Sequence, residues 1–395
     1  MLTVEDAKQL LFSQLKRAEI DEVEISHAYG NVLAEDLLAP VDLPLFDQSA
    51  VDGYALAFKA FEDHDRFEIV DEIKAGDNSN VQLSPGQGVR LYTGAMVPES
   101  AKLVVMQEFV NEEEGYITID KSFKSVDFIR KKGSQIRKGA LALEAGTLIN
   151  PGVIGFISSL GISKVNIFKK PVVSIIVTGN EIVKPGNDLK SGQIYESNSY
   201  ALQAALRQQH IEPSHILFAK DTKDDLDQQV DQAMKSSDVI LITGGISVGK
   251  YDLVQQALKD AGAEAIFYKV AQRPGKPLWV GIHGKKFIFA LPGNPASVMV
   301  CFYEYVYPAI RYMRGFKVTT IPTMKLKLLK EIKDPGERAS FLRAKIIDDG
   351  VMALDKQDSG MMISFAGGNA LIYIPKEQQF SAKDEMVEVH LLPFD

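Results

Sequence analysis

Sulfur and histidine are scarce in this 395-residue chain, which has one cysteine, Cys301, and six scattered histidines. A single thiol excludes an internal disulfide and a thiolate metal site within one chain. The apolar helical setting of Cys301, SVMVCFYEYV, predicts a buried structural thiol. The histidines show no HExxH or paired spacing, so no histidine metal centre is expected. No GxSxG elbow or Cys-His pattern points to acyl transfer. The glycine-rich turns fit neither the dinucleotide fingerprint nor a Walker loop, because no Lys-Ser/Thr follows them. No apolar run approaches the roughly 18 residues of a membrane span. Met1 opens a polar amphipathic helix instead of a signal peptide, so a cytoplasmic location is expected. A net charge of −8 argues against nonspecific nucleic-acid or anionic-membrane partners. An anionic substrate must then find locally clustered cations.

What remains is ordinary folded-protein composition, 46% hydrophobic and 24% charged, in a chain long enough for several domains. Thr3 with Asp6 resembles an N-terminal capping box, and Leu10, Leu11 and Leu15 give a helical stripe through about residue 18. Segment 41–138 is rich in short strands (RFEIVDEI, GVRLY, LVVMQEF, YITID) separated by turn residues and reads as a β-rich insertion. Residues 1–40 and 139–170 are expected to rejoin as a small mixed connecting domain. From Pro171 strands and helices alternate, which predicts a parallel, three-layer α/β domain over 171–318. Its last pieces read as a β-hairpin (PLWVGIHGKKFIFAL) running into a long helix, 296–314. Residues 319–395 read as an all-β domain. The expected fold class is a multidomain α/β protein.

The stretch DVILITGGISVGKYDLV, 238–254, organises the rest. Val239 to Ile242 form a continuous apolar run, as in a strand buried on both faces. It ends in Thr243-Gly244-Gly245, where missing side chains let backbone N–H groups approach a ligand. Ser247 and Gly249 continue the turn into a helix from Tyr251. A strand, a Gly/Ser loop and a helix start suit phosphates and other oxyanions; the same residues also suit a tight turn with a capping serine. Ligands in open α/β sheets bind at the carboxyl ends of the strands. Three glycine turns fall there: Thr178-Gly179-Asn180-Glu181, Thr243-Gly244-Gly245, and Leu291-Pro292-Gly293-Asn294-Pro295. So do three acids, Glu181, Asp221 and Asp252. Neighbouring carboxylates repel and call for a divalent cation or a hydrogen-bonding substrate, and hard oxygen ligands without Cys or clustered His favour Mg²⁺ over zinc. Lys269, Arg273 and Lys276, in a loop stiffened by prolines, supply the positive charge. On composition alone, Asp52-Gly53 and Thr93-Gly94 read as turns, and Arg130-Lys131-Lys132 with Arg137-Lys138 as a solvated basic face.

Taken together and in this order, FDQSAVDGYAL, LYTGAMVPESAKLVVMQE, FIRKKGSQI, TGNEI, SGQIYESNSY, LITGGISVGKYD, KVAQRPGKP, LPGNP and SGMMISFAGGN resemble the molybdopterin molybdenumtransferase family (MoeA and the gephyrin E domain). The resemblance implies an elongated four-domain chain, a molybdopterin-binding α/β domain and a head-to-head homodimer. It implies Mg²⁺-dependent reaction of adenylylated molybdopterin with molybdate, giving molybdenum cofactor and AMP. Contacts with a molybdopterin adenylyltransferase and with apo-molybdoenzymes are implied partners. Carried over by motif, Glu181, Asp221 and Asp252 would handle the metal. Thr178, Gly179, Thr243, Gly244, Gly245, Ser247 and Gly249 would cradle the substrate. Lys269, Arg273 and Lys276 with Pro292, Gly293, Asn294 and Pro295 would shape a molybdate pocket, and Arg338 and Ser364 would reach in from the last domain. Asp52 and Thr93 would enter from the partner subunit. Two departures stand out: Ser134-Gln135 occupies a place where the family usually carries an acid, and Arg273 replaces a frequent lysine. Gln135 can hydrogen-bond but carries no charge. Two other readings stay open, the preceding adenylyl transfer onto molybdopterin and a non-catalytic molybdopterin-binding scaffold.

Overall fold

The computed structural model describes residues 1–57, 66–78, 80–123, 128–246, 253–333, 336–378 and 380–394. After the first helix the chain runs out and back as a two-stranded ladder. Ile20–Glu24 pairs antiparallel with Lys164–Phe168, Leu37–Leu38 with Leu141–Leu143, and Gln48–Ser49 with Ile129–Arg130. One side of the ladder buries Ala28, Leu33, Val165 and Ile167 against Ile157 of the helix Pro151–Ser159. That helix starts where a helix should: Asn150 accepts from the Val153 N–H and Pro151 fills the first turn.

At the far end of the ladder hangs a six-stranded sheet in the order Ala101–Met106, Gly53–Ala57, Gln87–Leu91, Phe67–Ile73, Tyr116–Ile119 and Val110–Glu113. The strand Gly53–Ala57 is buried throughout because its alternate residues serve two cores, Tyr54 and Leu56 on one face, Ala55 and Ala57 on the other.

The α/β unit is built on a six-stranded sheet ordered His215–Ala219, Val173–Thr178, Val239–Thr243, Lys286–Leu291, Trp279–His283 and Glu264–Tyr268. The first four strands are parallel. Trp279–His283 alone runs antiparallel to its neighbours, so the sheet is mixed at one edge, because the two-residue turn Gly284-Lys285 that joins it to Lys286–Leu291 is too short for a crossover helix. Val239–Thr243 lies in the middle, wholly buried, with Val239 and Leu241 in one core and Ile240 and Ile242 in the other. Helices Lys223–Ser236 and Leu253–Asp260 cover the second of these faces. The first face is covered by Asn198–Arg207, by the long helix that starts at Pro295, and by the N-terminal helix Val4–Gln14.

This last placement differs from the sequence expectation, which groups the first helix with 139–170. Its Thr3/Asp6 capping box is present, but its apolar stripe (Val4, Ala7, Leu11) is in the α/β core. The long helix also carries a feature the sequence hides, a π turn over Phe302–Val306 between Pro295–Cys301 and Tyr307–Met313. Cys301 is buried as expected, and burial pushes its thiol up.

Residues 323–391 close a five-stranded barrel, Ala339–Ile347, Gly350–Ala353, Thr323–Leu328, Met386–Leu391 and Ala370–Ile374, the last pairing back to the first. Gln272–Arg273 of the α/β unit pairs parallel with Ala339 and Ser340, which ties the basic loop to the barrel.

A second tie is ionic. Glu304, in the π turn, is buried and bonded to Lys8 Nζ at 2.5 Å and His390 Nδ1 at 2.7 Å, joining first helix, long helix and barrel. Burial alone would raise the Glu304 carboxyl; the Lys8 charge and then His390 overcome it and hold it at about 2, against an ordinary 4.5. A depressed carboxylate contributes stability that is present above its ordinary value and lost as pH falls through the folded one. His390 is pushed down by burial but raised on balance by Glu304, so its share is present below 6.5 and lost as pH rises through its raised value. Glu304→Leu is therefore expected to cost about 3–5 kcal/mol at neutral pH, because it leaves Lys8 without its buried partner and His390 with only the half-exposed Glu388 at 3.0 Å. In urea denaturation this difference from wild type should close between pH 4.5 and about 2; a pH-independent difference would assign it to packing. Among the described residues no helix is long and apolar enough to cross a membrane.

Candidate active site at the strand ends

A cleft of about 820 Å³ opens at the carboxyl ends of Val173–Thr178, Val239–Thr243 and Lys286–Leu291. Its floor is the turn Thr243-Gly244-Gly245, with φ +84° at Gly244 and +65° at Gly245. Both glycines are required twice over, by backbone conformation and by space. A Cβ on Gly244 would lie 2.7 Å from Thr178 Oγ1 and 2.8 Å from Thr178 O, and one on Gly245 2.4 Å from Val254 Cγ2. Thr178 is not free to yield, since it is buried and its hydroxyl donates to Thr243 O at 3.2 Å. Gly244→Ala should lower stability by about 1–3 kcal/mol in chemical denaturation through left-handed strain and contact. Gly293→Ala is the control: its Cβ would meet only Gly244 Cα, at 3.5 Å, and a change below about 0.5 kcal/mol is expected.

Two polar atoms of residues lining this cleft, Thr243 Oγ1 and Asn198 Oδ1, are buried and have no partner among the described residues. Buried polar atoms without partners are rare and costly, so they mark places where a ligand atom bonds. Asn198 is held for that role, its Nδ2 donating to Gly293 O at 2.9 Å. The neighbouring Glu196 is already used, taking the Ser199 N–H and hydroxyl at 2.7 Å each.

Glu181 and Asp221 both line the cleft. Asp221 and Asn180 exchange hydrogen bonds, Asn180 N to Asp221 Oδ2 at 3.3 Å and Asp221 N to Asn180 Oδ1 at 3.2 Å, which holds two strand-end loops together. Ser247, Gly249 and Asp252 lie outside the described residues. Among those described, no group of three His, Cys, Asp or Glu side chains is poised around a metal.

Beside the cleft, and sharing Lys276, Pro277, Pro292 and Asn294 with it, is a chamber of about 260 Å³ between the α/β unit and the barrel. Arg273, Lys276 and Arg338 supply three cations to its wall. Arg338 is fixed by a bond from Nη1 to Gln272 O at 3.3 Å. Asn294 donates to Ser359 Oγ at 2.7 Å, and Ala296 N to Ser359 O, so the turn before Pro295 is stitched to a barrel loop. That loop is braced from behind by buried Arg343, which donates from Nη2 to Lys356 O and Asp358 O and from Nε to Ser364 Oγ at 3.0 Å. Ser364 thus stands behind the wall, as a partner of Arg343, and does not line the chamber. Lys269 also lines neither space; its Nζ sits over the Tyr268 ring at 4.5 Å. Ser297, which the sequence places at the helix start after the LPGNP turn, is in the chamber wall, as are Ser359 and, in the cleft, Asn198, two residues absent from the sequence expectation. A turn signal was there for Ser359, in Asp358-Ser359-Gly360, where Gly360 N donates to Asp358 Oδ1.

Three family models match in succession: the MoeA N-terminal region (domain I and II) over residues 2–161, a probable molybdopterin binding domain over 174–312, and the MoeA C-terminal region (domain IV) over 325–392. The chain is 32% identical to the molybdopterin molybdenumtransferase of a Nostoc species, covering 100% of this chain and 94% of that one. It is 31% identical to the enzyme of that name from Staphylococcus epidermidis, covering 95% and 91%. The chain belongs to the molybdopterin molybdenumtransferase family. Two crystal structures of the molybdopterin biosynthesis MoeA protein of Pyrococcus horikoshii match its fold with TM-scores of 0.86 and 0.84, at 32% and 27% identity, each covering 99% of this chain.

Within this chain, Asp52 and Thr93 are not wall residues: no described residue from 41–138 lines the cleft or the chamber. They form instead a compact pair at one end of the inserted sheet, Asp52 Oδ1 accepting from Thr93 N at 2.7 Å and Thr93 Oγ1 at 2.8 Å. These two bonds hold the Asp52 carboxyl below its ordinary value. Part of the nearby basic run is structural. Lys131 Nζ bonds Asp47 Oδ2 at 3.0 Å and Lys132 N bonds Asp47 Oδ1 at 2.8 Å, while Gln135 is exposed, with its backbone N–H on Leu43 O.

Proposed function

We propose that this transferase of molybdenum cofactor biosynthesis joins molybdate to adenylylated molybdopterin and releases AMP. The observation that carries the reading is the common wall. Lys276, Pro292 and Asn294 belong both to a cleft floored by the Thr243-Gly244-Gly245 turn and to a chamber lined by three cations and one acid, Asp358. The cleft suits the phosphate-bearing pterin nucleotide and the chamber a small dianion. The two substrates repel. Each pair of unit charges near 4 Å costs about 4 kcal/mol at an effective dielectric of about 20. Arg273, Lys276 and Arg338 offset that repulsion where the two would meet, and hold the oxyanion in place for reaction.

Glu181 and Asp221 suit a hard cation: both are exposed oxygen donors on the cleft rim, with no thiolate or imidazole beside them. Mg²⁺ commonly takes one or two carboxylates and completes its shell from substrate phosphates; with Asp252 these residues would hold it. Bound there, Mg²⁺ would neutralise phosphate oxygens and favour departure of AMP. The dithiolene of the substrate supplies sulfur to molybdenum, so the buried Cys301 takes no part. The partner subunit's Asp52 and the partner subunit's Thr93 complete the site in a homodimer. The protein works in the cytoplasm, receiving substrate from a molybdopterin adenylyltransferase and passing product to apo-molybdoenzymes.

The test is reconstitution. Purified protein with adenylylated molybdopterin, Mg²⁺ and molybdate is expected to activate an apo-molybdoenzyme. Tight substrate binding without activation would make the chain a carrier, and Gln135→Asp would then be the first variant to assay for recovered turnover.

A further inference from the structure

The cleft lies at the N-terminal ends of the helix Asn198–Arg207 and the long helix that starts at Pro295. At their C-terminal ends is a separate cavity of about 200 Å³, enclosed between Gln208–His210, Arg311–Phe316 and the ladder residues Tyr29, Gly30 and Leu148–Asn150. It shares no residue with the cleft or the chamber.

Its chemistry is cationic and incompletely paired. Arg314 is 1% exposed; two of its nitrogens donate to Gln209 O and Gly30 O at 2.5 and 2.6 Å, but Nε has no partner among the described residues. Gln209 is 3% exposed, and neither Nε2 nor Oε1 of its amide is paired with any described residue. Buried polar atoms without partners are rare, and three of them belong to two residues that line this one cavity. A purely structural role for Arg314, capping two carbonyls, explains two of its nitrogens and none of these three atoms.

The charges point the same way. Lys170, His210, Arg311 and Arg314 are shifted, besides burial and Tyr307, only by one another, with no carboxylate contributing. Burial, then Lys170 and Arg314, lower His210; burial, then Arg311, bring Arg314 down to about 10. Two helix C-termini carry about half a negative charge each, less than the three fixed cations. The rings are held in place: Phe316 lies under Arg311 at 3.8 Å and Arg314 at 5.1 Å, and Tyr29 meets His210 edge-on at 5.6 Å. Gly30 leaves room for that imidazole, since a Cβ there would stand 2.7 Å from His210 Cδ2.

We propose that this cavity binds a hydrogen phosphate group, free or at the end of a small monoester, at a site separate from the cleft. The orphaned atoms select the ligand. Arg314 Nε and Gln209 Nε2 need acceptors, whereas Gln209 Oε1 needs a donor. The hydrogen phosphate ion brings both, as does a monoester in its singly protonated form; sulfate and molybdate bring acceptors only.

Calorimetric titration of the full chain at fixed ionic strength tests this with inorganic phosphate, glycerol 3-phosphate, sulfate and molybdate. Saturable binding of either phosphate probe, at least tenfold tighter than sulfate, is expected, and the tighter of the two identifies the natural form. Gln209→Leu should weaken that binding tenfold or more and, with no phosphate present, raise the thermal midpoint. His210→Asn, which tolerates the left-handed backbone at φ +54°, should weaken it severalfold and keeps the proposal testable if Gln209→Leu fails to fold. Absence of phosphate binding, equal affinity for sulfate, or affinity unchanged in both variants overturns the proposal. So does loss of phosphate binding in Lys276→Ala, which would put the anion in the chamber.

Discussion

Lys276→Ala is expected to lower kcat/KM for molybdate by about 10²–10³-fold while changing folding stability by no more than about 0.5 kcal/mol. The magnitude follows from position. Lys276 belongs to both the cleft and the chamber, so its charge acts on both substrates where they approach. Removing one cation forfeits about 3–4 kcal/mol of the compensation estimated for a charge pair at that range, and each 1.36 kcal/mol is about tenfold in rate. Lys276→Arg keeps the charge and should stay within about tenfold of wild type, with geometry as the remaining difference. Lys269→Ala is the sharper control. The two lysines share one loop in the sequence, but Lys269 stands over Tyr268 and outside both walls; its loss should leave kcat/KM within about twofold. Equal losses in the two variants would contradict the assignment.

The second large effect is at Asp52. Asp52→Ala is expected to lower turnover by about 10³-fold, in the range for removal of a positioned acid–base group, with unchanged dimerisation and folding. The carboxylate is exposed and, among the described residues, is hydrogen-bonded by Thr93, so its removal takes away no core contact. Those bonds keep it ionised below the usual carboxylate range, so an acid limb of turnover from Asp52 should also fall below that range. Because the cleft and Asp52 belong to different protomers in the proposed site, mixing Asp52→Ala with Lys276→Ala should restore activity. After random 1:1 exchange half of the dimers are mixed and each holds one intact site, giving about a quarter of wild-type activity. No recovery in verified mixed dimers would place Asp52 outside the shared site.

Much of this was legible because it is local. The apolar run Val239–Ile242 announced the central buried strand, the glycine turns announced the strand ends where the cleft opens, and the stretch PLWVGIHGKKFIFAL announced the hairpin Trp279–Leu291. What was not legible depends on packing between distant segments. Nothing in Val4–Gln14 says which apolar surface its stripe will meet, and it meets the α/β core. Lys269 and Ser364 look equivalent to their neighbours in the motifs; backbone direction turns one onto Tyr268 and the other onto Arg343. Ser359 and Asn198 reach the walls only because Asn294 and Gly293 bring a barrel loop and a helix start to the same turn. The Glu304 cluster combines three segments distant in sequence and the Arg314 cavity four, which no periodicity records.

The most direct test of the central claim is a single-turnover measurement of AMP release from adenylylated molybdopterin at graded molybdate, with Mg²⁺ present. The account predicts negligible release without molybdate, a rate that saturates as molybdate rises, and one AMP per molybdenum retained. Release at the same rate with no molybdate would contradict it, because the cleft would then act as a hydrolase and the cationic chamber would have no part in the reaction.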